Sequence, residues 1–197
     1  MFTYNKVKML QVLVIVSSLV LAGCTNVAVT GAQAVYNHKN IQNSLNDHYI
    51  AMRAGQAINN MDKPTFADAN ISVAAVNGEV LLTGEAPQVW QKEEAAKLVS
   101  EIPGVKKIYN LVTISSPSST LTRVSDAWIT AKVKGKIIAS NDVDATKVKV
   151  VTENGTVFLM GTLMPDQADV AVDIARQTDG VKSVVKVLKY MKITNKA

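Results

Sequence analysis

Apolar residues recur every four positions at Ile50, Ala54 and Ile58, and again at Ile129, Val133 and Ile137, a spacing that lines one face of a helix. After each stripe the period drops to two. Ile71, Val73 and Ala75 alternate with Ser72 and Ala74, and Val148 and Val150 alternate with Lys147 and Lys149, which predicts half-buried strands. Asn77-Gly78 and Asn154-Gly155 follow, residues that tolerate the positive φ of a two-residue type I′ hairpin, and the apolar run then resumes at once. Gly84 and Gly161 are expected to stop the second strand, and a proline shortly after each opens a second helix. In the first copy that helix carries Ala95, Leu98, Val99 and Ile102 on one face, with Glu93 set to pair with Lys97. In the second it carries Val170 and Ile174, with Asp166 as the expected N-cap. Closing strands are predicted over Val105–Ile114 and Val181–Met191.

The two halves are therefore copies of one unit. Val76 to Gly84 aligns with Glu153 to Gly161, Asp47-His48-Tyr49-Ile50 with Asp126-Ala127-Trp128-Ile129, and Pro103-Gly104-Val105-Lys106 with Asp179-Gly180-Val181-Lys182. The units run over 46–114 and 123–191, joined by a polar, Pro-punctuated linker at 115–122 and followed by a tail at 192–197. Helix, strand, strand, helix, strand makes each an α+β unit. Its second helix bridges strands running the same way, so each unit has a three-stranded mixed sheet packed on two helices.

Upstream, Lys6 and Lys8 precede an apolar stretch from Met9 to Leu21. A helix of that length covers roughly 20 Å, short of the roughly 30 Å hydrocarbon core, so it reads as a secretory leader over 1–23. Leu21-Ala22-Gly23-Cys24 then resembles the bacterial lipobox, which implies cleavage before Cys24, acylation of that residue, and a lipidated tether over 24–45. Several acyl chains anchor stably where one would be marginal. Thr25, where an Asp would favour inner-membrane retention, implies the outer membrane with the protein facing the periplasm.

Composition narrows the function. With 48% apolar and 19% charged residues the chain is globular, and its single cysteine excludes an internal disulfide framework and any multi-thiolate zinc site. His38 and His48 leave little material for base catalysis, so no enzyme, cofactor or metal is expected. Asn141-Asp142-Val143-Asp144 begins like a calcium loop, but Thr146 and Lys147 stand where a ligand and a glycine belong. The chain's net charge is +5; the half from Ser119 onward carries twelve basic against eight acidic residues and the half from Cys24 to Ser118 seven against eight. The positive field therefore lies with the second repeat and suits an anionic partner, while secretion removes nucleic acid.

The repeated unit, with its first helix, Asn-Gly hairpin, glycine at the end of the second strand, helix and Gly-Val strand, resembles the BON domain. Two copies behind a lipobox resemble tandem-BON outer-membrane lipoproteins. That resemblance implies association with anionic phospholipid, support of envelope integrity, and no catalysis. The expected contact lies on the first helix of the second unit, at Trp128, Lys132, Gly135 and Lys136: an indole suits a headgroup interface, and each nearby lysine adds roughly 1 kcal/mol against anionic lipid. The competing reading packs Trp128, like the aligned Tyr49, on its own sheet or the sister domain. A competing function is that of a structural or adaptor subunit with envelope protein partners, since small domains often gain stability from a partner.

Overall fold

The computed structural model describes residues 31–59 and 64–191, with side chains from Gln42 onward. The chain divides after Lys39, and the unit from Asn40 onward holds both repeats. In order, the elements are α1 (Gly31–Ile58), β1 (Asn70–Val76), β2 (Glu79–Ala86), α2 (Val89–Ser100), β3 (Lys107–Asn110), β4 (Thr113–Ile114), α3 (Thr120–Ala139), β5 (Val148–Glu153), β6 (Thr156–Leu163), α4 (Pro165–Arg176) and β7 (Ser183–Tyr190). The segment read as a tether is thus helical from Gly31. The linker is shorter than its polarity suggests, because Ser119 caps α3 by accepting from Thr122 N–H.

In each repeat a hairpin of antiparallel strands is extended by a parallel closing strand. The second repeat pairs β6 with β7 over eight continuous positions. In the first, the closing strand falls into two pieces, β3 and β4, both on β2. Between them Val112 turns into the core, and Asn110 Nδ2 donates to the Lys92 carbonyl at 2.7 Å.

Both turns have the expected left-handed geometry, with φ of 54° and 79° at Asn77 and Gly78 and of 52° and 78° at Asn154 and Gly155. What holds each turn is a helix aspartate. Asp47 accepts from the N–H groups of Asn77 (2.6 Å) and Gly78 (2.8 Å), and Asp126 accepts from those of Asn154 and Gly155 (2.8 Å each). Gly84 and Gly161 lie inside β2 and β6 instead of ending them. A Cβ there would run into the carbonyl oxygen of Asn70 at the start of β1 or of Lys147 just before β5, so glycine is what permits the close approach.

The helices bury the faces that the four-residue period marks: Ile50, Ala54 and Ile58 on α1, and Ile129, Val133 and Ile137 on α3. Three helix details differ from expectation. Met164 is the N-cap of α4, with Pro165 at the first helical position, so Asp166 sits inside the first turn. The buried face of α4 is Ala168, Ala171, Val172 and Ala175, whose small side chains bring helix and sheet close; Val170 and Ile174 only flank it. Lys97 pairs with Glu94 at 3.5 Å rather than with Glu93, an exposed contact worth little.

β1 and β5, the strands whose alternation predicts half-burial, are largely of intermediate burial, whereas the second strands go further. β2 is buried along its whole length, because the face of each sheet that turns away from its helices packs on the other sheet. Ala74, Leu81, Phe158, Met160 and Val187 form this third core, joined by Val76, Tyr109, Val151 and Val185. The layers run helices, sheet, sheet, helices. Polar contacts flank the apolar centre: Lys189 Nζ to Glu79 Oε1 at 2.6 Å at one end, and Glu85 with Asn154 Nδ2 at the other.

Replacing Asp126 by alanine leaves two turn N–H groups without their charged acceptor and is expected to destabilise the protein by about 3 kcal/mol. The matching change at the more open Asp47 is expected to be milder. Urea unfolding of the two variants measures both.

Candidate functional site: the outer face of α3

α3 is a 20-residue helix whose core residues leave the opposite face free. That face carries Leu121, Val124, Trp128, Ala131, Gly135 and Ile138, spaced alternately by three and four, and all six are exposed. Leu121, Trp128 and Ile138 expose 78%, 66% and 72% of their surface, so the indole packs neither on its own sheet nor on the sister repeat. A contiguous apolar stripe of this kind on a soluble surface marks a place where something docks.

Lys132 and Lys136 border the stripe on one side, one helical step from Trp128 and Gly135, and Lys134 and Arg123 border it on the other. The ammonium groups are held. Lys132 Nζ donates to the Asp179 carbonyl at 2.6 Å and Lys136 Nζ to the Gln177 carbonyl at 3.4 Å, which fastens α3 to the end of α4. Arg123 donates to the Ser118 carbonyl at 2.8 Å. Of the four residues singled out from sequence, Trp128 and Gly135 therefore lie on the apolar stripe, whereas Lys132 and Lys136 form its cationic margin. Leu121, Val124 and Ile138 were not foreseen. Their signal was present in the three-four spacing, but it ran on the side of the helix away from the more obvious core period.

Gly135 has open space where a Cβ would point. Cys24 lies outside the described residues, as do the leader and the tail. His48 is exposed, and Asp144, in the calcium-like segment, accepts from Thr146 N–H and pairs with Lys147 at 3.1 Å. Among the described residues no group of three or more His, Cys, Asp or Glu is arranged to hold a metal ion, and no helix is long and apolar enough to cross a membrane.

Two αββαβ modules stacked through their sheets, one bearing an exposed apolar helix edged with cations, define a class. Residues 46–116 and 125–192 match the BON domain, and the chain belongs to that family. It is 33% identical over 193 residues to the outer membrane lipoprotein DolP of Haemophilus influenzae, covering 96% of this chain and 99% of that protein. It is 44% identical over 124 residues to a 21 kDa hemolysin of Actinobacillus pleuropneumoniae, a match that spans 63% of this chain and 64% of that protein's length. Osmotically-inducible protein Y of Escherichia coli is 31% identical over 152 residues, 76% of this chain and 75% of that protein. The near full-length likeness to DolP makes the chain an outer-membrane BON lipoprotein.

A side chain at Gly135 meets nothing within the protein, so Gly135→Ala is expected to raise stability by about 0.5–1 kcal/mol through helix propensity alone, read by thermal or urea unfolding. Trp128→Ala, at an exposed position, is expected to change stability by less than about 0.5 kcal/mol.

Proposed function

We propose that the protein is a non-enzymatic envelope lipoprotein that lies against the outer membrane's periplasmic leaflet and recognises anionic phospholipid through α3. The stripe from Leu121 to Ile138 carries this reading, because it is exposed, continuous and bordered by cations on both sides. An amphipathic helix of this build lies in the interface plane, its apolar face reaching the acyl boundary and its lysines near the headgroups. Burying one large aliphatic or aromatic side chain is worth about 1.5–3 kcal/mol and each nearby lysine about 1 kcal/mol, so apolar contact supplies most of the affinity and charge the lipid preference. Acyl chains on Cys24 would hold the protein at the surface and spare α3 from doing so alone. By keeping such a contact the protein would support envelope integrity, as the family resemblance implies.

A second reading, an adaptor to envelope proteins, draws on the first repeat. There Leu45, Tyr49 and Met52 form an exposed stripe on α1 that corresponds to Val124, Trp128 and Ala131, with Arg53 at the position of Lys132 but no cation at those of Lys134 and Lys136. Such a face suits a protein partner better than an acidic membrane.

Co-sedimentation of the unacylated mature protein with phosphatidylglycerol vesicles tests the primary reading. Binding is expected to weaken at least tenfold in Trp128→Glu and in Ile138→Glu, and to fall with added salt. Vesicle binding that survives both substitutions would remove α3 from the mechanism, and a stable lipid-independent complex after detergent extraction would favour the adaptor.

A further inference from the structure

The polar end of the joint between the two sheets holds two carboxyl groups, neither of which is in a salt bridge among the described residues. Glu85, 1% exposed, accepts from Asn70 Nδ2 (3.1 Å), Ser118 N–H (3.3 Å) and Asn154 Nδ2. Glu153 comes from the other repeat and accepts from Thr83 Oγ1 at 3.5 Å and from the Ser72 side chain. The elements packed on this pair contribute Asn70 and Ser72 from β1, Thr83 from β2, Ser118 from the linker, Asn154 from the turn, and Asp126 and Arg123 from α3. Asp126 is a third negative charge, engaged with the turn N–H groups, and the Arg123 guanidinium is turned to the Ser118 carbonyl and the Thr120 hydroxyl. Among the described residues no ion pair reaches Glu85 or Glu153, and Ser118 Oγ is buried beside them without a hydrogen-bond partner.

We infer that Glu153, set against the other repeat near the buried Glu85, makes the docking of the two repeats pH-dependent, tight when the Glu153 carboxyl is protonated and loosened when it is ionised. Each carboxyl belongs to a different repeat, so separation of the sheets relieves their repulsion and returns both to water. Burial, followed by the charges of Glu85 and Asp126, pushes the Glu153 carboxyl above the usual glutamate range, against the opposing hydrogen bonds from Ser72 and Thr83. The sign follows: a carboxyl whose pKa is raised in the docked state favours docking as pH falls through that value and opposes it above. Each unit by which docking raises that pKa changes the docking equilibrium about tenfold. The apolar centre at Leu81, Phe158 and Met160 supplies the attraction that this repulsion works against.

Pulsed electron paramagnetic resonance on the mature chain tests this, with Cys24→Ser and spin labels at Lys97→Cys in α2 and Asp173→Cys in α4, exposed sites in the two outer layers. In the parent protein the label separation is expected to be narrow at about pH 5 and to broaden at about pH 8, above the ordinary carboxyl range. Glu153→Gln, which carries the protonated shape permanently, is expected to remain narrow at both. A parent distribution that does not change with pH overturns the inference, and so does a pH response that persists in Glu153→Gln. Because the parent titration stands alone, a poorly folded variant does not remove the test, and because no vesicles are present its outcome is independent of lipid binding by α3.

Discussion

A carboxylate on the first helix closes the hairpin turn of its own repeat, and the architecture rests on that contact. Two successive N–H groups in a type I′ turn point the same way and are not satisfied within the hairpin, and Asp47 or Asp126 accepts both. The helix is thereby pinned in both rotation and register to the sheet it covers. Once Asp126 and the Ile129, Val133, Ile137 stripe are directed inward, the opposite side of α3 is committed to solvent. The exposure of Leu121, Trp128 and Ile138 is thus a geometric consequence of how the core is fastened.

The second organising contact is the stacking of the sheets. A three-stranded sheet covered by helices on one side has a second face to hide, and a domain of this size buries only a modest core alone. The two copies solve this for each other, which is why β2 is buried throughout and why Phe158 and Met160 face Leu81 across the joint. The arrangement also sends the exposed stripes of α3 and α1 to opposite outer layers. Duplication has therefore yielded two exposed apolar helix faces that differ in their charged surroundings, rather than one face doubled.

The cationic margin shows how a single residue serves both stability and surface chemistry. Lys132 and Lys136 close the exposed carbonyls at the end of α4 and keep positive charge beside the apolar stripe. Their stems can still lie along the stripe while the heads stay polar. A lysine in this position is neither an ordinary solvated charge nor a dedicated lipid ligand.

Much of this was legible in the chain because it is local. The four-residue stripes, the Asn-Gly turns and the repeat itself depend on contacts within one unit, and periodicity reports them directly. Helix ends were less legible: Pro165 moved the cap of α4 from Asp166 to Met164, and Gly84 and Gly161 read as stops although they mark close strand approach. Three things belonged to the tertiary structure alone. The burial of both faces of β2, the bonds that join Glu85 to Asn154 and Glu153 to Thr83, and the absence of the sister repeat over Trp128 all depend on which sheet face meets which. That choice is made between residues some 70 positions apart, such as Asn154 and Glu85, and alternation along a strand marks two faces without saying what covers the second.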